Sequence, residues 1–187
     1  LEGLGRRSRF SGLFLFDSRQ SGNYSDKTIN EIVRASFEMA KVRTGALIVV
    51  KNKDSLGDYE RTGIDVDAKV SSQLLINIFE HNTPLHDGAV IVRDDRITSA
   101  TCYLPLSNDL AIDKNLGTRH RAGLGVSEAT DALTVIVSEE TGKVSIAMSG
   151  KLERGVDSDR LKEALKEIQT KPSEENDKKF FKWGKNR

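Results

Sequence analysis

Thr44-Gly45-Ala46-Leu47-Ile48-Val49-Val50 is the stretch on which the fold turns. A glycine punctuates, and an apolar run then continues without a polar break. A short continuous run of this kind suits a strand covered on both faces. Upstream, Ser25-Asp26 offers an N-cap for a helix over roughly residues 27–42. Within it Ile29, Ile32, Val33, Phe37 and Ala40 recur at three- and four-residue spacing and mark the buried stripe. Downstream, residues 51–69 are polar and carry Gly57 and Gly63, which reads as loop with at most an edge strand.

Further along, Ser71 caps a second helix with Leu74, Leu75, Ile78 and Phe79 on its inner face, and Pro84 fixes the turn out of it. Ala89-Val90-Ile91-Val92 is the next strand, Asp94-Asp95 a turn, and residues 97–104 its antiparallel partner. A loop over 105–118 leads to a short helix near 119–130. Residues 133–137 and 144–148 form a hairpin around Thr141-Gly142. A last amphipathic helix, about 157–169, buries Leu161, Leu165 and Ile168. Helices interleave with strands, yet several strand pairs are hairpins. The expected fold is therefore a single α/β domain, a mixed, twisted central β-sheet flanked by helices.

The totals fit that reading. The chain has 187 residues, 37% of them hydrophobic and 30% charged, enough apolar material for one core. A formal net charge of +1 gives no electrostatic case for DNA or RNA as a polymer partner. One cysteine, Cys102, excludes an internal disulfide and fits a reducing compartment. No stretch approaches the roughly 20 apolar residues that span a bilayer. The sequence divides into a lead-in segment over 1–24, a domain over 25–169 and a charged flexible tail over 170–187. Phe180, Phe181 and Trp183 among the lysines of that tail offer an alternative reading, docking on a membrane surface or a partner.

Two loops carry candidate chemistry. His81-Asn82-Thr83-Pro84-Leu85-His86-Asp87-Gly88-Ala89 puts two imidazoles and a carboxylate in a connection feeding a buried strand. Asp87 can ligate a hard divalent cation, and Gly88 lets a ligand or backbone approach closely. Taken alone, Asp87-Gly88 reads as a turn, and His81 as structural. The second loop is Gly117-Thr118-Arg119-His120-Arg121-Ala122-Gly123. With Thr118 as N-cap, a helix start presents free N–H groups to an anion, and two arginines add donors suited to phosphate oxygens. No G-x-x-x-x-G-K-[ST] loop, G-x-G-x-x-G turn, zinc pattern or G-x-S-x-G elbow accompanies them.

Together, Leu85-His86-Asp87-Gly88-Ala89-Val90-Ile91 and Gly117-Thr118-Arg119-His120-Arg121-Ala122 resemble the paired motifs of the diadenylate cyclase family. Thr44-Gly45-Ala46-Leu47-Ile48-Val49 and Ser138-Glu139-Glu140-Thr141-Gly142 are similar to the same family, so the likeness spans roughly residues 25–155. Within it, the opening Leu1-Glu2-Gly3-Leu4-Gly5 resembles the membrane-anchored type. That type implies an anchor upstream of Leu1, a full-length protein at the cytoplasmic face of the plasma membrane, a soluble fragment here, and a membrane-anchored regulatory protein as partner.

The resemblance implies condensation of two ATP into cyclic di-AMP with release of two pyrophosphates, assisted by Mn²⁺ or Mg²⁺, with Co²⁺ a further option. It implies Asp87, Arg119 and Arg121 as catalytic residues and Asp87 with His86 as metal ligands. Nucleotide contacts would come from Ile48 (through its backbone), Gly88, Ala89, Tyr103, Leu104, Thr118, Arg119, His120, Arg121, Ser138 and Glu140. Tyr103 would stack on adenine and Leu104 would wall it. The reaction has twofold symmetry and the chain has one copy of each motif, so two chains must face each other as a homodimer. Two other readings keep the same loops: a module that binds ATP or a cyclic dinucleotide without catalysis, and a metal phosphohydrolase built on His86-Asp87. Product analysis after incubation with ATP and Mg²⁺ or Mn²⁺ separates the three.

Overall fold

The computed structural model describes residues 24–108 and 116–169, so the lead-in segment before Tyr24 and the charged tail lie outside the described residues. Among these residues seven strands form one sheet: β1 (Ala46–Val50), β2 (Ile64–Lys69), β3 (Ala89–Arg93), β4 (Arg96–Cys102), β5 (Leu133–Val137), β6 (Val144–Met148) and β7 (Lys151–Arg154). Five helices accompany them: α1 (Asp26–Lys41), α2 (Gly57–Glu60), α3 (Ser72–Phe79), α4 (Thr118–Ala129) and α5 (Ser158–Ile168). The strand order is β2-β4-β3-β1-β5-β6-β7. Only β1 and β3 pair in parallel, with Ile48 opposite Val90, and every other ladder is antiparallel. The expected mixed α/β sheet is what the chain forms. The sequence reading missed β7 and the single turn of α2, both too short and too polar to carry a period.

The apolar run of β1 sits at the centre, buried along its whole length and paired on both edges. Side chains alternate across a strand, so one run serves two cores. Ala46, Ile48 and Val50 join α1, α3 and α5 on one face, where Ile29, Ile32, Leu75, Phe79, Leu161 and Leu165 meet them. Leu47 and Val49 face the other way, toward Ala122, Leu124 and Val126 of α4. Each Ile, Leu or Phe withdrawn fully from water contributes about 1.5–3 kcal/mol before entropy is counted.

Two polar clasps hold the layers in place. At the start of α1, Asp95 in the β3–β4 turn accepts hydrogen bonds from the Ser25 N–H (2.8 Å), the Ser25 hydroxyl (2.9 Å) and the Thr28 hydroxyl (2.6 Å). Burial alone would raise the carboxyl pKa of Asp95, but those three donors outweigh it and hold the group below its ordinary value. On the far side, the Tyr24 hydroxyl donates to the Leu165 carbonyl at 2.7 Å, and the Gln169 amide donates to the Tyr24 carbonyl at 2.8 Å. The first and last described residues of the domain are thereby fastened to each other.

Replacing Asp95 with alanine should lower the unfolding free energy by about 1 kcal/mol, below the roughly 1.5–3 kcal/mol of bonds to a charged acceptor because the site is exposed. The measurement is a urea titration, read as a shifted midpoint at unchanged slope. An unshifted midpoint would mean that packing alone seats the start of α1.

Candidate functional site

All the candidate residues that share a space lie at one end of the sheet. Antiparallel pairing brings the starts of β1, β3 and β6 together with the ends of β4, β5 and β7. A cleft of about 660 Å³ opens there. It is lined by His86, Asp87, Gly88, Tyr103, Leu104, Thr118, Arg119, His120, Ser138 and Glu140, so ten of the expected residues converge on it. Leu47, His81, Leu116, Glu139, Lys143 and Arg154 line it as well.

The Asp87-Gly88 corner is fixed by the backbone. Gly88 has φ of +117°, and a Cβ there would lie 2.8–3.0 Å from the backbone of Thr101 and Cys102. Any side chain would therefore push β3 away from β4. Thr101 itself adopts φ of +58°, an uncommon state for a β-branched residue, and the β3–β4 register shifts between Ala89 and Ile91. Irregularities of this kind re-aim the residues at a sheet end. Just beyond, Tyr103 is 71% exposed and its N–H donates to the Thr62 hydroxyl at 2.8 Å. Ordinary strand packing does not account for that ring. His86 is tied down through Nδ1, which lies 2.6 Å from the Thr83 carbonyl. A carbonyl can only accept, so Nδ1 donates, and in that tautomer of the neutral ring the lone pair lies on Nε2. His81 stands edge-on to His86, with ring centroids 5.6 Å apart.

Across the cleft stands the start of α4. The sequence reading made Thr118 the N-cap, and the structure corrects this. Gly117 holds the cap position with extended backbone, Thr118 is the first helical residue, and among the described residues no side-chain hydrogen bond caps the helix. A helix start without a side-chain cap leaves its first amides available to an anion. Arg119 points toward the β5–β6 turn, where its Nη1 donates to Glu139 Oε2 at 2.7 Å. Ser138 shapes that turn, its hydroxyl accepting the Thr141 N–H at 3.2 Å.

His120 faces inward and is only 8% exposed. Burial depresses its pKa, the nearby Arg154 charge depresses it further, and Glu140 opposes both. It is therefore a neutral imidazole at neutral pH.

Three of the expected residues do not line this cleft. Arg121 is two helical residues from Arg119, some 200° around the axis, and does not line the cleft. Its carbonyl instead accepts the Ser107 N–H at 3.0 Å. Ile48 is fully buried in the α1 core, and β1 is paired with β3 and β5 on either side of it, so its backbone is committed to the sheet. Leu47, its neighbour of opposite parity, lines the cleft instead. Ala89 is buried opposite Cys102 at the start of β3 and supports the corner from behind. Strand parity and the 100° helical step would have flagged the first two.

A carboxylate, a helix start without a side-chain cap and an arginine thus line one cleft of an α/β domain. Residues 33–152 match the family described as DisA bacterial checkpoint controller nucleotide-binding, and the chain belongs to that family. It is 53% identical over 167 residues to the cyclic di-AMP synthase CdaA of Bacillus subtilis, covering 88% of this chain and 59% of that protein. The chain thus spans less than two thirds of the length of this relative.

Among solved structures it is similar to a double mutant of DacA from Staphylococcus aureus, with TM-score 0.76 and 48% identity, covering 78% of this chain and 97% of that one. It is also similar to a hypothetical membrane spanning protein from Bacillus cereus, with TM-score 0.67 and 42% identity over 70% of this chain and 64% of that one. Among the described residues no helix is long and apolar enough to cross a membrane.

His120 makes stability depend on pH with a definite sign. Its pKa in the folded chain lies below the ordinary 6.5, so the unfolded chain takes up the proton first. The contribution is whole above about pH 6.5 and is lost as pH falls through the depressed folded value. Melting temperatures should fall from about pH 7 to about pH 5, and His120→Asn should flatten that fall. Parallel curves for the two proteins would assign the dependence to other groups.

Proposed function

We propose that this chain is the catalytic domain of a diadenylate cyclase, which joins two ATP molecules into cyclic di-AMP and releases two pyrophosphates. The observation that carries the reading is the shared cleft: Asp87 on one wall, the uncapped start of α4 with Arg119 on the other. Family membership supplies the substrate class. In the reaction each 3′-oxygen attacks the α-phosphorus of the other nucleotide, a new P–O bond forms, and the bond to the pyrophosphate breaks. Asp87 orients the hydroxyl and accepts its proton. The amides of Thr118 and Arg119, with the Arg119 guanidinium, hold phosphate oxygens in line. The Ser138 hydroxyl and Glu140 flank that end of the cleft. Tyr103, exposed along the cleft beside Leu104, offers its ring to adenine.

A divalent cation fits the donors present. No group of three His, Cys, Asp or Glu residues among those described could hold a metal by itself. Mg²⁺ and Mn²⁺ instead suit one or two protein ligands, the remainder coming from phosphates and water. Asp87 and the Nε2 of His86 would hold it. The bound ion would neutralise phosphate charge and acidify the attacking hydroxyl.

One cleft per chain suits one ATP, so the working form is a homodimer with two clefts facing each other. The membrane-spanning description of the Bacillus cereus relative supports a full-length protein held at a membrane; the anchored type would place it at the cytoplasmic face of the plasma membrane with a membrane-anchored regulatory protein as partner.

Chromatography after incubation with ATP and Mn²⁺ or Mg²⁺ tests the chemistry. Wild type should yield cyclic dinucleotide, and Asp87→Asn should keep nucleotide binding while losing product about a hundredfold or more. Binding without product in the wild type would leave a sensor module, and ADP with phosphate a hydrolase. A second measurement addresses assembly: specific activity should fall as the enzyme is diluted through its dimer dissociation constant. Constant specific activity from a species that sizes as monomer would remove the dimer.

A further inference from the structure

Arg119 is already held before any nucleotide arrives. Its Nη1 lies 2.7 Å from Glu139 Oε2, and the pair joins the first turn of α4 to the β5–β6 turn. The two partners are unequal: the arginine side chain is 23% exposed, the glutamate 62%. Beneath them runs Gly45, the residue before β1. A Cβ at Gly45 would lie 2.6 Å from Arg119 Nη1 and 2.8 Å from Glu139 Oε2. The pair therefore rests against bare backbone, and three separate elements converge to seat it. The contact uses one nitrogen of a guanidinium that carries five N–H donors in a fixed fork.

We infer that Glu139 is a positioning residue, holding Arg119 across Gly45 so that the remaining N–H groups of the fork meet the triphosphate already ordered. The inference rests on the nucleotide reading of this cleft and extends it to Glu139, whose carboxylate acts through Arg119. An arginine free to sample its rotamers has to be immobilised each time a phosphate binds. One that is already seated avoids that loss, and the effect falls on binding rather than on the bond-making step. Most exposed ion pairs contribute little to stability. This one is different in that its cationic member is largely covered and stands in the cleft.

The test uses the whole chain with Glu139→Ala, Glu139→Gln and Gly45→Ala, each checked for a wild-type melting profile. Two readouts are taken: kcat and KM for ATP, and calorimetric binding of a non-hydrolysable ATP analogue. Glu139→Ala should raise KM and the analogue Kd roughly threefold to tenfold with kcat little altered, the penalty expected for ordering one long side chain. Glu139→Gln keeps an acceptor oxygen and should return both to near wild type. Gly45→Ala, which forces the pair apart, should resemble Glu139→Ala.

Equal or tighter analogue binding by Glu139→Ala overturns the inference, because the carboxylate would then compete with phosphate for Arg119. A Glu139→Gln protein as impaired as Glu139→Ala overturns it too. The two layers separate cleanly. If wild type makes no cyclic dinucleotide yet the analogue affinities shift as stated, the cyclase reading fails and the positioning role stands. If wild type is active and Glu139→Ala is indistinguishable from it, only the positioning role fails.

Discussion

Burial of β1 on both faces and both edges is the constraint from which the rest of the architecture follows. A strand so enclosed must find hydrogen-bond partners on each side and apolar cover above and below. The parallel partner β3 and the antiparallel partner β5 satisfy the edges. Cover for Ala46, Ile48 and Val50 comes from α1, α3 and α5, and cover for Leu47 and Val49 from α4. Because α4 must lie across that second face, its uncapped start projects past the start of β1. There it meets the Asp87 corner that introduces β3. The geometry of the cleft is thus a by-product of covering one strand.

The topology also explains why the cleft lies where it does. In open sheets of parallel strands, ligands bind beyond the carboxyl ends. Here a single parallel pair is set among hairpins, and the cleft lies at the amino ends of β1 and β3. The hairpin partners reverse that bias, since β4, β5 and β7 all finish at the same end. Tyr103 follows β4, Ser138 and Glu139 follow β5, and Arg154 ends β7. Residues from three separate strand ends can therefore converge on one ligand.

Most of the framework was legible because its signals are periodic. The stripe of α1, the caps at Ser25 and Ser71, the apolar run of β1 and the Thr141-Gly142 hairpin all appear where sequence pattern put them. Within the candidate site, residue types were legible and their directions were not. Arg119 and Arg121 look equivalent as letters, yet a helix sends them to different sides. Ile48 and Leu47 look equivalent too, and strand parity sends only the second to the cleft. Glu139 escaped notice because its significance depends on Gly45, distant in sequence, and no local pattern links them. Lys143 and Arg154 reach the cleft through the β5–β6–β7 meander, whose last strand was too short and too exposed to be read.

The fastening of Tyr24 to Leu165 and Gln169 has a mechanical consequence. Tyr24 and Gln169 lie side by side, so the two ends of the described domain meet at a single point. A pull between those ends would be taken up by a short clasp between the start of α1 and the end of α5, without passing through the sheet. The cleft, gathered around the start of α4 across the central strand, lies outside that line of force. A load applied across Tyr24 and Gln169 would act on that clasp, at a distance from Asp87, Arg119 and Glu139.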